Sequence, residues 1–91
     1  VPPPGPRPAP RRKPGDPEAH YNLGNALRAQ KKLDEAGVAY RRAIALRKGA
    51  FPEAHHNLGI ALVEQRMFAE AVAAFRAAIE LRKGAFPEAH K

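Results

Sequence analysis

The chain has 91 residues, a formal net charge of +7, a mean hydropathy of -0.52, and no cysteine, serine or threonine. Those absences exclude disulfides, thiolate metal sites and serine, threonine or cysteine nucleophiles. No apolar run approaches the roughly 20 residues of a bilayer span, and the N-terminus lacks the apolar core of a secretion signal, so the segment reads as soluble with no membrane partner and no legible cellular location.

Residues 1–16 come first and do not read as part of a core. Eight prolines fall within residues 1–17. They fix φ and remove backbone donors, so the expected conformation is a semi-rigid polyproline tether. Arg7, Arg11, Arg12 and Lys13 face only Asp16, giving this linker a balance of +3, and the remainder of the chain carries +4. Arg11, Pro14 and Pro17 formally fit an R-x-x-P-x-x-P ligand. That spacing is common in any proline-rich linker, and Pro17 is already claimed by a helix start. The chain opens on Val1 and stops just after a unit restarts, so the expectation is a piece of a longer protein.

Self-similarity decides the remainder. Residues 17–51 and 52–86 align without gaps at a period of 35, with 22 of the 35 pairs identical, and a third copy begins at Pro87-Glu88-Ala89-His90. Repeats of this length are stacked supersecondary units. Within the first, His20, Leu23, Gly24 and Leu27 follow the i, i+3, i+4, i+7 spacing of a helix face, and Ala36, Tyr40, Ala43, Ile44 and Leu46 continue it in a second run. Asp16 is expected to cap a first helix opening on Pro17, and Asp34 a second with Glu35 in its first turn. Arg47 and Lys48 suit the negative end of the helix dipole, Gly49 and Gly84 the left-handed residue that ends a helix. Phe51 and Phe86 are expected to fold back over the helix ends before Pro52 and Pro87. The loops are short enough to make neighbouring helices antiparallel.

The pattern His20-x-x-Leu23-Gly24-x-x-Leu27 with Ala36 and Tyr40 returns as His55-x-x-Leu58-Gly59-x-x-Leu62 with Ala71 and Phe75. It resembles the tetratricopeptide repeat family. The implied fold is all-α: helix-turn-helix repeats stacked as a short right-handed superhelix, with a linker at 1–16, repeats at 17–51 and 52–86, and a third repeat starting at 87–91. The glycines would let paired helices approach, and Ala36, Ala43, Ala71 and Ala78 would leave room for the larger residues opposite. The chain departs from the family in three ways. Each unit has 35 residues rather than 34; Lys31 and Arg66 stand where a turn glycine is frequent; and His20, His55 and His90 replace a Trp or Tyr.

The resemblance implies a non-enzymatic scaffold that binds a protein or peptide, as an extended segment, in a concave groove lined by the first helix of each repeat. The residues pointing away from the Leu-Gly stripe are Glu18, Tyr21, Asn22, Asn25, Arg28 and Ala29, with Glu53, His56, Asn57, Ile60, Val63 and Glu64 as counterparts. Asn22 and Asn57 directly precede the Leu-Gly pairs, and each carboxamide offers two donors and an acceptor, enough to clasp a peptide unit. Repeated every 35 residues, they resemble the asparagine ladder in the repeat region of O-linked N-acetylglucosamine transferases. The alternative is that each amide bonds a neighbouring helix or water. Tyr21 and His56 would add flat contacts, and Arg28 a charge-assisted bond to a carboxylate. A clamp for an acidic chaperone tail would need Lys where Tyr21 and His56 stand. Metal and cofactor are not implied, because His20, His55 and His90 lie a whole unit apart and adjacent His55 and His56 diverge by about 100° on a helix.

Two further readings compete. Nucleic acid could meet the arm together with Arg41, Arg42, Arg47 and Lys48, but no aromatics interleave the basic surface. Homo-oligomerisation through an exposed repeat end is the other: stacks of this kind usually need three or more repeats, and Val72, Phe75, Ile79 and Leu81 on the last helix would present an uncovered apolar face.

Overall fold

In the computed structural model, which describes residues 15–84, the chain forms four helices: α1 (Pro17–Ala29), α2 (Leu33–Leu46), α3 (Pro52–Glu64) and α4 (Phe68–Arg82). No strand occurs among the described residues. The proline-rich arm at 1–14, the Phe86 fold-back and the third unit from Pro87 lie outside them. α1 pairs with α2 and α3 with α4, α2 packs on α3 to join the two hairpins, and α1 touches α3 along a narrow line. No helix among the described residues is long and apolar enough to cross a membrane.

Helix starts follow two different rules. At α1 the Asp16 carboxylate accepts from the Glu18 N–H at 3.0 Å, and Pro17 occupies the first position, where a missing donor is harmless. The cap expected from Asp34 does not form. α2 begins two residues earlier than that cap would set it, at Leu33 behind Lys32, and no side chain caps it. The reason is the preceding turn: the Lys32 N–H bonds the Leu27 carbonyl at 2.9 Å, which commits Lys32 to the junction and draws half-buried Leu33 into the first turn. Asp34 instead accepts from Gln65 Nε2 at 2.7 Å, while its charge still faces the positive end of the helix.

The helix ends share one pattern. After α1, α2 and α3 the second residue past the cap reaches five residues back, as in Gly49 N–H to Ile44 O at 2.8 Å and Met67 N–H to Leu62 O at 2.8 Å. The residue between must be left-handed. It is Lys31 (φ 67°), Lys48 (φ 54°) and Arg66 (φ 66°), a long cation each time. Gly49 (φ 88°) and Gly84 (φ 65°) are left-handed as expected, but after α2 the required position falls on Lys48.

The core is built from small residues facing aromatics. Ala36, Tyr40, Leu58, Ala61, Leu62, Ala71 and Ala74 form the main cluster, and Ala43, Phe51 and Ala54 a second. Gly24 lies against the Tyr40 ring and Gly59 against the Phe75 ring, so closely that an added methyl would overlap either ring. Phe51 does fold back over the end of α2, buried beneath Arg47, whose guanidinium carbon sits 4.2 Å from the ring centroid. The Leu-Gly stripe is unequal in the two units. Leu58 is 6 % exposed, pressed towards Gly37 of α2, whereas Leu23 is 49 % exposed, because among the described residues nothing stands outside α1 as α2 stands outside α3.

Candidate functional site

The face shared by α1 and α3 follows from helical spacing. Tyr21, Asn25 and Arg28 fall three or four residues apart on α1, and Asn57, Ile60 and Glu64 do so on α3. Where the helices touch, the polar side chains interlock. The Tyr40 hydroxyl, rising from α2, donates to Asn25 Oδ1 at 2.5 Å. Asn57 Nδ2 donates to the same oxygen at 2.9 Å and to the Tyr21 hydroxyl at 3.1 Å. Tyr21 stacks obliquely between Tyr40 and Phe51, with ring centroids 6.1 and 5.1 Å away.

The residues anticipated for the groove therefore divide. Tyr21, Asn25 and Asn57 are brought together, but their bonds run to one another, and the Asn57 amide donors serve α1. Asn22, the equivalent of Asn57 one unit earlier, is exposed. Glu18 is exposed and accepts from Arg47 Nη2 at 3.0 Å. His56 is exposed and meets Phe75 edge-on, centroids 5.4 Å apart at 61°. Ile60 is half-buried, while Glu53, Val63, Glu64 and Ala29 are exposed.

Arg28 differs from all of these. It is half-buried, and its Nη1 is out of solvent reach with no acceptor among the described residues. A buried charged donor without an acceptor costs more than the ~1–3 kcal/mol typical of a neutral one, so the Arg28 side chain would gain by turning outward to an oxygen brought to this face. Its charge is felt next door: burial pushes the Tyr40 hydroxyl above its usual value, Arg28 pulls it back, and Tyr21 raises it further, while the nearby Asn57 amide lowers it and Glu64 raises it.

Sequence reasoning missed Tyr40 as a member of this cluster, treating it only as a core aromatic. A signal existed. Tyr40 and Asn25 in the first unit become Phe75 and Ile60 in the second, so hydroxyl and amide disappear together.

Elsewhere, Arg41 pairs with Glu70 at 3.5 Å, so of the four cations on α2 and the turn after it that were considered for phosphate contact, Arg41 and Arg47 have carboxylate partners. Among the described residues no three His, Cys, Asp or Glu side chains gather to hold a metal. His55 Nε2 lies 3.0 Å from the Gly49 carbonyl, which ties α3 to the inter-unit loop.

Compared with known families, residues 17–49 match one model described as Tetratricopeptide repeat, and residues 52–85 match a second of the same description. No curated protein matches the chain at significant similarity.

Proposed function

The chain belongs to the tetratricopeptide repeat family, whose repeats are non-catalytic scaffolds for protein–protein interaction, and from that premise we propose that it holds an extended partner segment along the α1/α3 face. The observation that supports this reading is half-buried Arg28, on the face that also carries Asn25 and Asn57, whose Nη1 has no acceptor among the described residues. A carboxylate or main-chain carbonyl is the acceptor that its planar, charge-bearing fork suits best. Exposed Asn22 then supplies a donor and acceptor pair farther along α1, and Ile60 and Val63 give the α3 side an apolar edge. Asn57 contributes through its carbonyl oxygen, because its N–H groups hold α1. The asparagine ladder is thus uneven: Asn22 is available at both ends, Asn57 at one.

The test is a peptide-array screen of the chain, followed by calorimetric titration of the tightest extended binder. Arg28→Ala is expected to weaken it by about ten-fold or more, the scale of one charge-assisted hydrogen bond, and Asn22→Ala by about five-fold, the scale of a neutral one. Unchanged affinity in both variants would refute the assignment.

A further inference from the structure

Two surfaces of this molecule are the separated halves of an interface it already contains. Where α3 packs on α2, Ala54, Leu58, Ala61 and Leu62 are all buried. One unit earlier the same positions of α1 hold the same residues, Ala19, Leu23, Ala26 and Leu27, with Leu23 and Ala26 exposed. One unit later α4 repeats the surface of α2. Ala36, Ala43 and Ile44 recur as Ala71, Ala78 and Ile79, yet Ile79 is 53 % exposed while Ile44 packs with Phe51 and Ala54. Whatever seats α3 on α2 therefore also suits the α1 of another molecule for the α4 of this one.

Two main differences separate the seats: Ala69 stands in place of Asp34, so Gln30 of the incoming copy lacks the exposed bond that Gln65 makes, and Val72 stands in place of Gly37, which the geometry tolerates. A Cβ built on Gly37 would lie 3.8 Å from Leu58 Cδ1, an ordinary contact. The Val72 side chain is 48 % exposed and adds apolar area facing an incoming Leu23.

We propose that a second copy of this chain docks head to tail, its α1 lying on α4 of the first. The occupant is a second copy because its α1 carries, residue for residue, the apolar face that α3 uses on α2. The contact engages different patches on the two molecules, so it does not close as a two-fold dimer and grows as an open stack. At each joint Asn22 of the added copy comes beside His56 and Ile60, as Asn57 lies beside Tyr21 and Asn25 within the molecule, and the α1/α3 face continues across it. This stacking does not depend on the partner segment proposed above.

The experiment is sedimentation equilibrium over a wide concentration series, with Leu23→Glu and Val72→Glu as variants and circular dichroism as the folding control. Both positions are about half exposed, and Ile79→Glu replaces Val72→Glu if helicity falls. Wild-type weight-average mass is expected to climb above 9.9 kDa without levelling at two copies. Each variant alone is expected to remain monomeric. An equimolar mixture is expected to form one heterodimer, because Leu23→Glu keeps its α4 face and Val72→Glu its α1 face. A wild-type protein of constant monomer mass would overturn the proposal, including one whose α4 amides are protected because its own residues after 84 cover that face. A Leu23→Glu variant that still dimerises alone, through α4 against α4, would also overturn it, as would a mixture that fails to associate.

Discussion

Replacing Gly24 by alanine is expected to destabilise the protein even though alanine is the better helix former. A Cβ at Gly24 would stand 2.7 Å from both Cδ1 and Cε1 of Tyr40 and 3.1 Å from Cγ. Carbon atoms in contact prefer about 3.5–4.0 Å, so the ring would have to retreat by roughly 1 Å. It has nowhere to go: Tyr40 is 0 % exposed, and its hydroxyl is held by Asn25. Overpacking of this kind costs about 1–3 kcal/mol, against a gain in helix propensity of about 1 kcal/mol, which leaves a net loss of up to about 2 kcal/mol, centred near 1. Gly37 is the internal control. There a Cβ would meet Arg41 Nη1 at 3.6 Å and Leu58 Cδ1 at 3.8 Å, both ordinary contacts, so Gly37→Ala keeps the propensity gain and stabilises by about 0.5–1 kcal/mol. At about 4–8 °C per kcal/mol for a domain of this size, the centres of these ranges put the two melting midpoints roughly 10 °C apart, with opposite signs relative to wild type. Thermal and urea denaturation followed at 222 nm read this directly. If both variants shift in the same direction, the close approach of α1 to Tyr40 is not what this glycine is for.

The Tyr40–Asn25 pair can be tested by converting it to its counterpart in the second unit. Tyr40→Phe or Asn25→Ile alone should each cost about 1 kcal/mol in urea unfolding, while the double variant, imitating Phe75 and Ile60, should lose less than the sum; strict additivity would contradict the coupling. Lys31→Gly and Arg66→Gly should each stabilise by about 0.5–1 kcal/mol, the left-handed strain of a side chain less the greater unfolded-state freedom of glycine, and a lowered midpoint would refute the turn geometry. The hydroxyl pKa of Tyr40 is higher in the folded chain than in the unfolded one, so its contribution is complete below about pH 10 and is lost as pH rises through the folded value. Urea unfolding across pH 9–12 should show a steeper fall for wild type than for Tyr40→Phe, and parallel profiles would remove Tyr40 from the account.

Much of this architecture was legible because it rests on local chemistry repeated twice. Pro17 and Pro52 open helices wherever they occur, and a glycine inside an apolar stripe, sixteen residues before an aromatic, marks a close helix pair. Asp16 was legible as a cap because nothing competes for that junction. Asp34 was misread, since the turn before α2 is fixed by a bond from Lys32 to the previous helix and not by its own side chain. The exposure of Leu23 was missed for a different reason: its spacing matches that of Leu58, but burial depends on what lies outside the helix. The candidate site was legible as a face and not as a network. Spacing puts Tyr21, Asn25, Arg28 and Asn57 on the right sides of α1 and α3, yet which of them bond one another depends on how the two units are offset. Only the paired change from Tyr40 and Asn25 to Phe75 and Ile60 hinted at it.

The central claim is that the α1/α3 face receives the partner. The most direct measurement is amide and side-chain chemical-shift mapping of the labelled chain titrated with its tightest array peptide. Shifts are expected to concentrate at Asn22, Asn25, Arg28, Asn57 and Ile60, with the Arg28 guanidinium resonances moving most. Shifts gathered instead along Arg41, Glu70 and Ala77, on the side where α2, α3 and α4 meet, would contradict the account.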